Sequence, residues 1–147
     1  GSTEGTIKIW NLKERTCIHS LDEIHDDEPT TIIVTRDNKG FVSASLDGAI
    51  KLWDIKDAKF RFKFEKGHSE GVTALTFLED TDFLVSAGLD HCIKIWNLKK
   101  RKCEMEYTEI INEPISVMAL TNDKADLILG SVVGSMKMVM NFHRKQL

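Results

Sequence analysis

The segment GAIKLWDI at residues 48–55 decides the fold because it recurs along the chain at a constant spacing. It corresponds to GTIKIWNL at residues 5–12 and to HCIKIWNL at residues 91–98, each displaced by 43 residues. A weaker copy, GSMKMVMN at residues 134–141, keeps the glycine and the lysine but loses the tryptophan. Four copies in phase, at a period of about 40 to 45 residues, indicate a repeat protein built from β-sheet units.

The residues between these segments support a strand-rich interpretation. Short runs of apolar and β-branched residues alternate with polar turns such as residues 36–40, which is typical of antiparallel strands. Residues 5–21 supply only the last two strands of a repeat, and residues 115–141 supply only the first three. The two complete repeats have predicted strands at 31–35, 41–45, 49–53 and 60–64, and at 72–77, 83–86, 92–96 and 103–107.

These repeats resemble those of WD-repeat β-propeller proteins. The pair WD at residues 53–54 matches the dipeptide that names the family, and GH at residues 67–68 matches its companion pair. The pairs WN at residues 10–11 and 96–97 are common variants of the first motif. The resemblance covers residues 5–142 and implies an all-β fold of four-stranded antiparallel blades. Their strands are called a to d from the propeller axis outwards.

The resemblance divides the chain into four parts. Residues 1–21 hold strands c and d of a truncated blade behind a possible tag scar, the initial Gly-Ser pair. Residues 22–64 and 65–107 form two complete blades, and residues 108–147 form a degenerate blade with strands a to c and a tail. Because a propeller usually needs 4 to 8 blades to close, we expect an incomplete ring. A fragment of a larger propeller is the first interpretation; an edge-to-edge homodimer and half of a two-chain ring are the alternatives.

The composition argues against several classes of function. With 20 basic and 23 acidic residues, the net charge of -3 is too small to attract nucleic acid or anionic lipid. No apolar run reaches the roughly 20 residues that span a bilayer, and the N-terminus lacks the pattern of a secretory leader. Three cysteines without metal-ligand spacing predict reduced thiols and neither metal nor cofactor. We expect a cytoplasmic protein, with the nucleus as the alternative.

Two sets of polar residues contain the residue types of a serine-hydrolase triad. Each set has a histidine, a serine and an aspartate, and each is followed by the tryptophan of its own strand c. The sets are His25, Ser43, Asp47 and Trp53, and, 43 residues on, His68, Ser86, Asp90 and Trp96. The resemblance implies a tetrad in which aspartate binds histidine, histidine binds serine, and serine binds the indole N–H. Because a repeat protein must repeat its folding devices, we interpret both sets as structural, with Ser45 as an alternative to Ser43.

The fourth repeat lacks the diagnostic side chains of this tetrad. Ile111, Val133 and Val139 stand where the other repeats have histidine, aspartate and tryptophan. We therefore expect this repeat to be held together by apolar packing alone. A degenerate blade is the simpler interpretation, and a blade remodelled for a partner is the alternative.

The loops that enter strand a predict an acidic face. Lys66 is the only basic residue expected to oppose the acids there, which are Asp22, Glu23, Asp26, Asp27, Glu28, Glu65, Glu70, Glu109 and Glu113. Leu46, Leu89 and Val132 precede strand c, at a position where many WD-repeat proteins contact ligands. Exposed aliphatic side chains among acids suit a short peptide with basic and apolar residues. The candidate partner-binding residues are Leu46, Leu89, Asp26, Asp27, Glu28 and Glu70.

Three functions follow from these observations. The first is a protein-interaction scaffold without chemistry of its own. The second is a purely structural segment of a larger propeller with no ligand site, and the third is a hydrolase that uses His68 and Ser86. The basic run at residues 99–102 resembles a nuclear-localisation or nucleic-acid patch, but it falls where a blade has its solvated turn between strands c and d. We favour the scaffold.

Overall fold

The computed structural model describes residues 1–78, 81–108, 110–121 and 126–139, and these residues form strands and no helix. The strands are β1 (Ile7–Asn11), β2 (Thr16–Leu21), β3 (Pro29–Val34), β4 (Gly40–Ser45), β5 (Ile50–Asp54), β6 (Phe60–Lys63), β7 (Val72–Phe77), β8 (Phe83–Gly88), β9 (Ile93–Asn97), β10 (Lys102–Tyr107), β11 (Ile115–Leu120), β12 (Leu127–Ser131) and β13 (Met136–Val139). Nothing in the described ranges forms an apolar helix long enough to cross a membrane.

The strands are arranged in four antiparallel sheets in chain order. Two sheets have four strands, in the orders β3-β4-β5-β6 and β7-β8-β9-β10. Strands β1 and β2 form a two-stranded sheet, and β11 to β13 form a three-stranded one. The four sheets do not close into a ring within the described residues. The predicted fold class, all-β propeller blades in an incomplete ring, is confirmed.

Some strands are longer than the sequence pattern predicts. Strand β3 begins at Pro29, before its predicted start at residue 31, and β8 continues to Gly88. Proline lacks an N–H but is tolerated at the first residue of a strand. The pairing of β3 is irregular between Pro29 and Thr31, although more and less exposed side chains alternate along the whole strand.

Neighbouring sheets pack face to face through apolar side chains. Between the second and third sheets, Phe64 and Trp96 are fully buried, with ring centroids 5.0 Å apart. Val42 of β4 and Leu84 of β8 are buried in the same cluster. Strands β4 and β8 are buried along nearly their whole length because each lies inside a sheet that is covered on both faces.

Hydroxyl groups also link one sheet to the next. Thr30 Oγ1 donates to the carbonyl oxygen of Val72 at 2.5 Å, and Thr73 Oγ1 donates to that of Ile115 at 2.5 Å. The two bonds are separated by one repeat, and both join the first strand of a sheet to the first strand of the following sheet. The innermost strands are therefore held at a fixed spacing.

The two outer sheets leave apolar side chains in contact with solvent. Trp10 of the first sheet is 55% exposed, and Met136 of the last sheet is 79% exposed. Ile18, Val117 and Met138 are also more than half exposed. Among the described residues, no further sheet covers these outer faces.

Candidate functional site

The third sheet brings together the second predicted set of polar residues. His68 lies in the loop before β7, Ser86 on β8, Asp90 in the turn after β8 and Trp96 on β9. His68 Nδ1 lies 2.8 Å from Asp90 Oδ1, and His68 Nε2 lies 2.7 Å from Ser86 Oγ. Trp96 Nε1 donates to the same Ser86 Oγ at 2.8 Å. A continuous chain of hydrogen bonds thus joins the loop, two strands and a turn.

The second sheet has the same arrangement one repeat earlier. His25 Nδ1 lies 3.1 Å from Asp47 Oδ2, and His25 Nε2 lies 2.8 Å from Ser43 Oγ. Trp53 Nε1 donates to Ser43 Oγ at 2.8 Å. Ser45, the alternative left open by the sequence, takes another role, because its hydroxyl donates to a carbonyl oxygen of the preceding loop at 3.0 Å.

The two aspartates also bind backbone groups, which ties the loop before each sheet to the turn inside it. Asp47 accepts the N–H of Ala49 at 2.8 Å and that of Asp26 at 3.0 Å. Asp90 accepts the N–H of Ser69 at 3.0 Å. Each carboxylate therefore fixes two chain segments in addition to its histidine.

These contacts determine which groups of the tetrad in the second sheet carry a proton. Burial lowers the pKa of His25 below its ordinary value of 6.5, although Asp47 opposes the shift. Burial would raise the pKa of Asp47, but hydrogen bonds from Ala49 and Asp26 N–H groups and from His25 keep it below 3.8. The neutral histidine then donates from Nδ1 to the carboxylate and accepts the serine O–H at Nε2. Ser43 Oγ in turn accepts the indole N–H.

The same geometry does not resemble the surroundings of a nucleophilic serine. A nucleophilic serine must reach the carbonyl carbon of a substrate, with space for an oxyanion beside it. Ser43 and Ser86 have no exposed surface, and each hydroxyl oxygen already accepts a tryptophan N–H. The arrangement can carry hydrogen bonds between strands, but it offers no route by which a substrate meets the hydroxyl.

In the fourth sheet, apolar residues take the positions of the tetrad. Ile111 is in the place of the histidine and Leu129 in that of the serine, and both are buried in one cluster, against which Val139 packs. Val133, in the place of the aspartate, is 68% exposed. The expectation of apolar packing alone is wrong, however, because Ser135 Oγ donates to Glu113 Oε1 at 3.2 Å.

A repeated lysine is a further device that the sequence interpretation missed. Lys94 Nζ donates to the carbonyl oxygen of Gly67 at 3.1 Å, and Lys51 Nζ binds that of Ile24 in the same way. Lys137 makes the equivalent bond in the fourth sheet. The signal was present, because lysine occurs in every copy of the repeated segment. Lys66 is therefore not the only cation beneath the loops that enter strand a.

We call the end of the sheets formed by the loops at 22–28, 64–71 and 110–114 the loop face. Leu46 and Leu89 both lie close to Gly71 on this face. A Cβ added to Gly71 would lie 2.7 Å from Leu46 Cδ2 and 3.3 Å from Leu89 Cδ1. Both leucines are half-buried and therefore less exposed than the sequence interpretation expects, whereas Val132 is 53% exposed. The two leucines form one shared patch because Gly71 leaves room for them.

Four of the candidate binding residues are acidic residues of the loops that enter β3 and β7. Asp26, Asp27 and Glu70 are exposed, and Glu28 is half-buried. Glu109, which the sequence also assigns to this face, lies outside the described residues, as do residues 140–147 of the predicted fourth blade and tail.

The opposite end of the sheets holds the basic run at 99–102. Lys99 Nζ lies 2.6 Å from Asp82 Oδ2, and Lys100 and Lys102 each place Nζ 3.1 Å from a carboxylate oxygen of Glu104. These pairs are solvated and lie in or beside the turn between β9 and β10, as the sequence interpretation expects of a hairpin turn.

The sheet order and the repeated tetrad define a repeat protein of the β-propeller class. Comparison with protein-family models agrees with this assignment: the model described as WD domain, G-beta repeat matches residues 15–54 and 59–97. The match includes more than half of the chain, and the chain belongs to this family. Repeats of this family generally mediate protein–protein interaction, and proteins that carry them are typically non-enzymatic scaffolds. A comparison with curated proteins gives no match.

Proposed function

We propose that the chain is a protein-interaction scaffold whose loop face binds a basic peptide segment with an apolar side chain. The observation that carries the proposal is the shared patch of Leu46 and Leu89 over Gly71. A half-buried aliphatic pair held on a rigid sheet array loses little side-chain entropy when a partner covers it, which favours binding.

The charges around the patch favour a basic partner. Asp26, Asp27 and Glu70 are exposed close to the ends of the same strands, whereas the Lys94 ammonium group is held by Gly67 and Glu106 and is only 7% exposed. Lys66 is also exposed on this face, but the exposed carboxylates outnumber it, so a lysine or arginine of the partner would meet mainly negative charge. Complementary charge increases the association rate and the specificity of such contacts.

A fluorescence-anisotropy titration tests the proposal with a labelled decapeptide of lysine and glycine around a central leucine. Glu70→Lys and Leu89→Glu should each weaken binding about tenfold, as expected for contacts worth about 1.4 kcal/mol. Val132→Glu is the matched control, since Val132 has the same repeat position but lies away from Gly71. Equal affinity in all variants would favour the purely structural alternative.

A serine-directed fluorophosphonate probe tests the hydrolase alternative separately. We expect no adduct at Ser43 or Ser86, because both hydroxyls are buried and bound to tryptophan. Mass spectrometry of the labelled protein identifies any modified serine. An adduct on Ser86 in the folded protein would contradict the scaffold proposal.

The cytoplasm stays the predicted compartment, with the nucleus as the alternative. Cys17, Cys92 and Cys103 are free thiols, as a reducing compartment allows. A fluorescent fusion imaged in cells checks this prediction.

A further inference from the structure

A groove of about 420 Å³ opens between the second and third sheets at the end opposite the loop face. Its walls come from the turns after β3, β7 and β9 and from the adjoining ends of β5, β6 and β7. Leu52, Phe77 and Leu98 supply apolar surface inside the groove. Two neighbouring sheets thus form one concave site with an apolar floor.

The residues that line the groove are more often cationic than acidic. The two acidic residues are Asp37 and Asp82, and the four cationic residues are Arg36, Arg61, Lys99 and Arg101. The groove is therefore positively charged, while the loop face at the other end carries exposed carboxylates.

Most of these cations already have a structural contact. Arg36 Nη2 donates to the Leu78 carbonyl oxygen at 3.0 Å and so bridges the two sheets. Arg61 pairs with Asp54, and Lys99 pairs with an acid of the groove itself.

Arg101 differs from the other members of the basic run. Its guanidinium lies 5.1 Å from the ring centroid of Phe62, on the neighbouring sheet, and pairs with no described carboxylate. Its backbone has a φ of 57°, in the left-handed region where a side chain costs free energy and glycine is favoured. The arginine side chain is thus held at the groove by an aromatic ring and keeps its N–H donors available.

We propose that this groove binds an acidic peptide segment of a partner protein. An apolar side chain of the segment would cover Leu52, Phe77 and Leu98, and a flanking carboxylate would accept N–H bonds from Arg101. Planar guanidinium groups bind carboxylates with two parallel hydrogen bonds, which gives direction as well as affinity. A nucleic acid fits less well, because the apolar floor of Leu52, Phe77 and Leu98 suits an aliphatic side chain better than a phosphate. This site is separate from the loop face and does not depend on the function proposed for it.

The variant Arg101→Gly removes the guanidinium without straining the turn. Glycine adopts the left-handed conformation freely, so loss of binding in this variant does not report misfolding. Arg15→Gly is the matched control: Arg15 holds the same position in the turn between β1 and β2, has a φ of 56°, and does not line the groove. Both variants lose one positive charge.

Anisotropy of a labelled decapeptide, with a central leucine flanked by aspartate and glutamate, measures binding to the full chain. We expect saturable binding that Arg101→Gly weakens about tenfold and Arg15→Gly leaves within about twofold. Replacing the leucine of the peptide with serine should weaken binding about tenfold as well. Added salt should weaken binding, because screening reduces the attraction between charges near the surface.

Several results would overturn the proposal. No saturable binding to the unmodified chain, equal affinity for Arg101→Gly, or an equal loss in both glycine variants would each do so. Competition by a short oligothymidylate as strong as that by the peptide itself would indicate a nucleic-acid site. The variant Glu70→Lys should leave the acidic peptide bound, so failure of the loop-face proposal and failure of this one are distinguishable.

Discussion

The substitution Ser86→Ala removes the central hydroxyl of one tetrad. In the folded chain this oxygen accepts the Trp96 indole N–H at 2.8 Å and lies 2.7 Å from His68 Nε2. Alanine fills nearly the same space, but it leaves one buried donor and one buried acceptor without a partner. Because Ser86 is fully buried, water has no direct access to replace the lost bonds.

The expected cost follows from these two orphaned groups. A buried polar group left without its partner costs about 1 to 3 kcal/mol, so the two together should lower the free energy of unfolding by roughly 2 to 6 kcal/mol. For a chain of this size, the melting temperature should then fall by roughly 5 to 15 °C. Ser43→Ala should behave in the same way, since the second sheet repeats the arrangement.

Thermal and urea unfolding, followed by circular dichroism, measure this effect. Ser116→Ala is the control, because its exposed hydroxyl makes a single bond to a backbone carbonyl and its loss should cost less than about 0.5 kcal/mol. The double variant with Trp96→Phe removes the orphaned donor, so its cost should be smaller than the sum of the two single changes. A Ser86→Ala protein as stable as the unmodified chain would refute the structural role of the tetrad.

Three further predictions concern pH, turn geometry and association. Stability should fall as the pH drops below about 6.5, because the pKa of His25 is lower in the folded chain and the unfolded chain therefore binds more protons. The lowered pKa of Asp47 adds a further loss of stability below about 3.8. Melting temperatures that stay constant between neutral and acidic pH would contradict this. Gly48→Ala should cost about 2 to 4 kcal/mol in urea unfolding, since φ is +75° and the new Cβ would collide with the His68 carbonyl oxygen. Gly134→Ala, with a φ of +92° but open space around it, should cost only about 1 kcal/mol, and equal costs would rule out the collision. The exposed apolar outer faces should make the chain self-associate at micromolar concentration, and sedimentation of a clean monomer would contradict that expectation.

The repeat in the sequence determined much of the architecture. A constant spacing of 43 residues between tryptophan segments required equivalent strands at equivalent places, and the sheet order agrees. The same spacing showed that the set of histidine, serine, aspartate and tryptophan recurs, and the resemblance to WD-repeat proteins implied that each set forms a tetrad. A repeat can be detected by comparing one sequence with itself, so this part of the architecture could be predicted without a structure.

Other features depended on how separate segments meet in space. Ser43 and Ser45 are both on β4, and only the packing of the loop against the strand shows which one faces the histidine. The leucine patch arises because Gly71 leaves room for Leu46 of the preceding repeat beside Leu89 of its own repeat. The contact of Leu46 with Gly71 joins two different sheets, and no spacing within one repeat encodes it.

For the charged groove, too, the sequence predicted one part and the tertiary structure decided the other. The sequence showed that residues 99–102 are basic and form a turn. Only the tertiary structure separates Arg101, which lies over Phe62 at the groove, from its neighbours that pair with nearby carboxylates. Local propensity and repeat spacing set the strands of each sheet, whereas the packing of one sheet against the next decided which charges are left available to bind a partner.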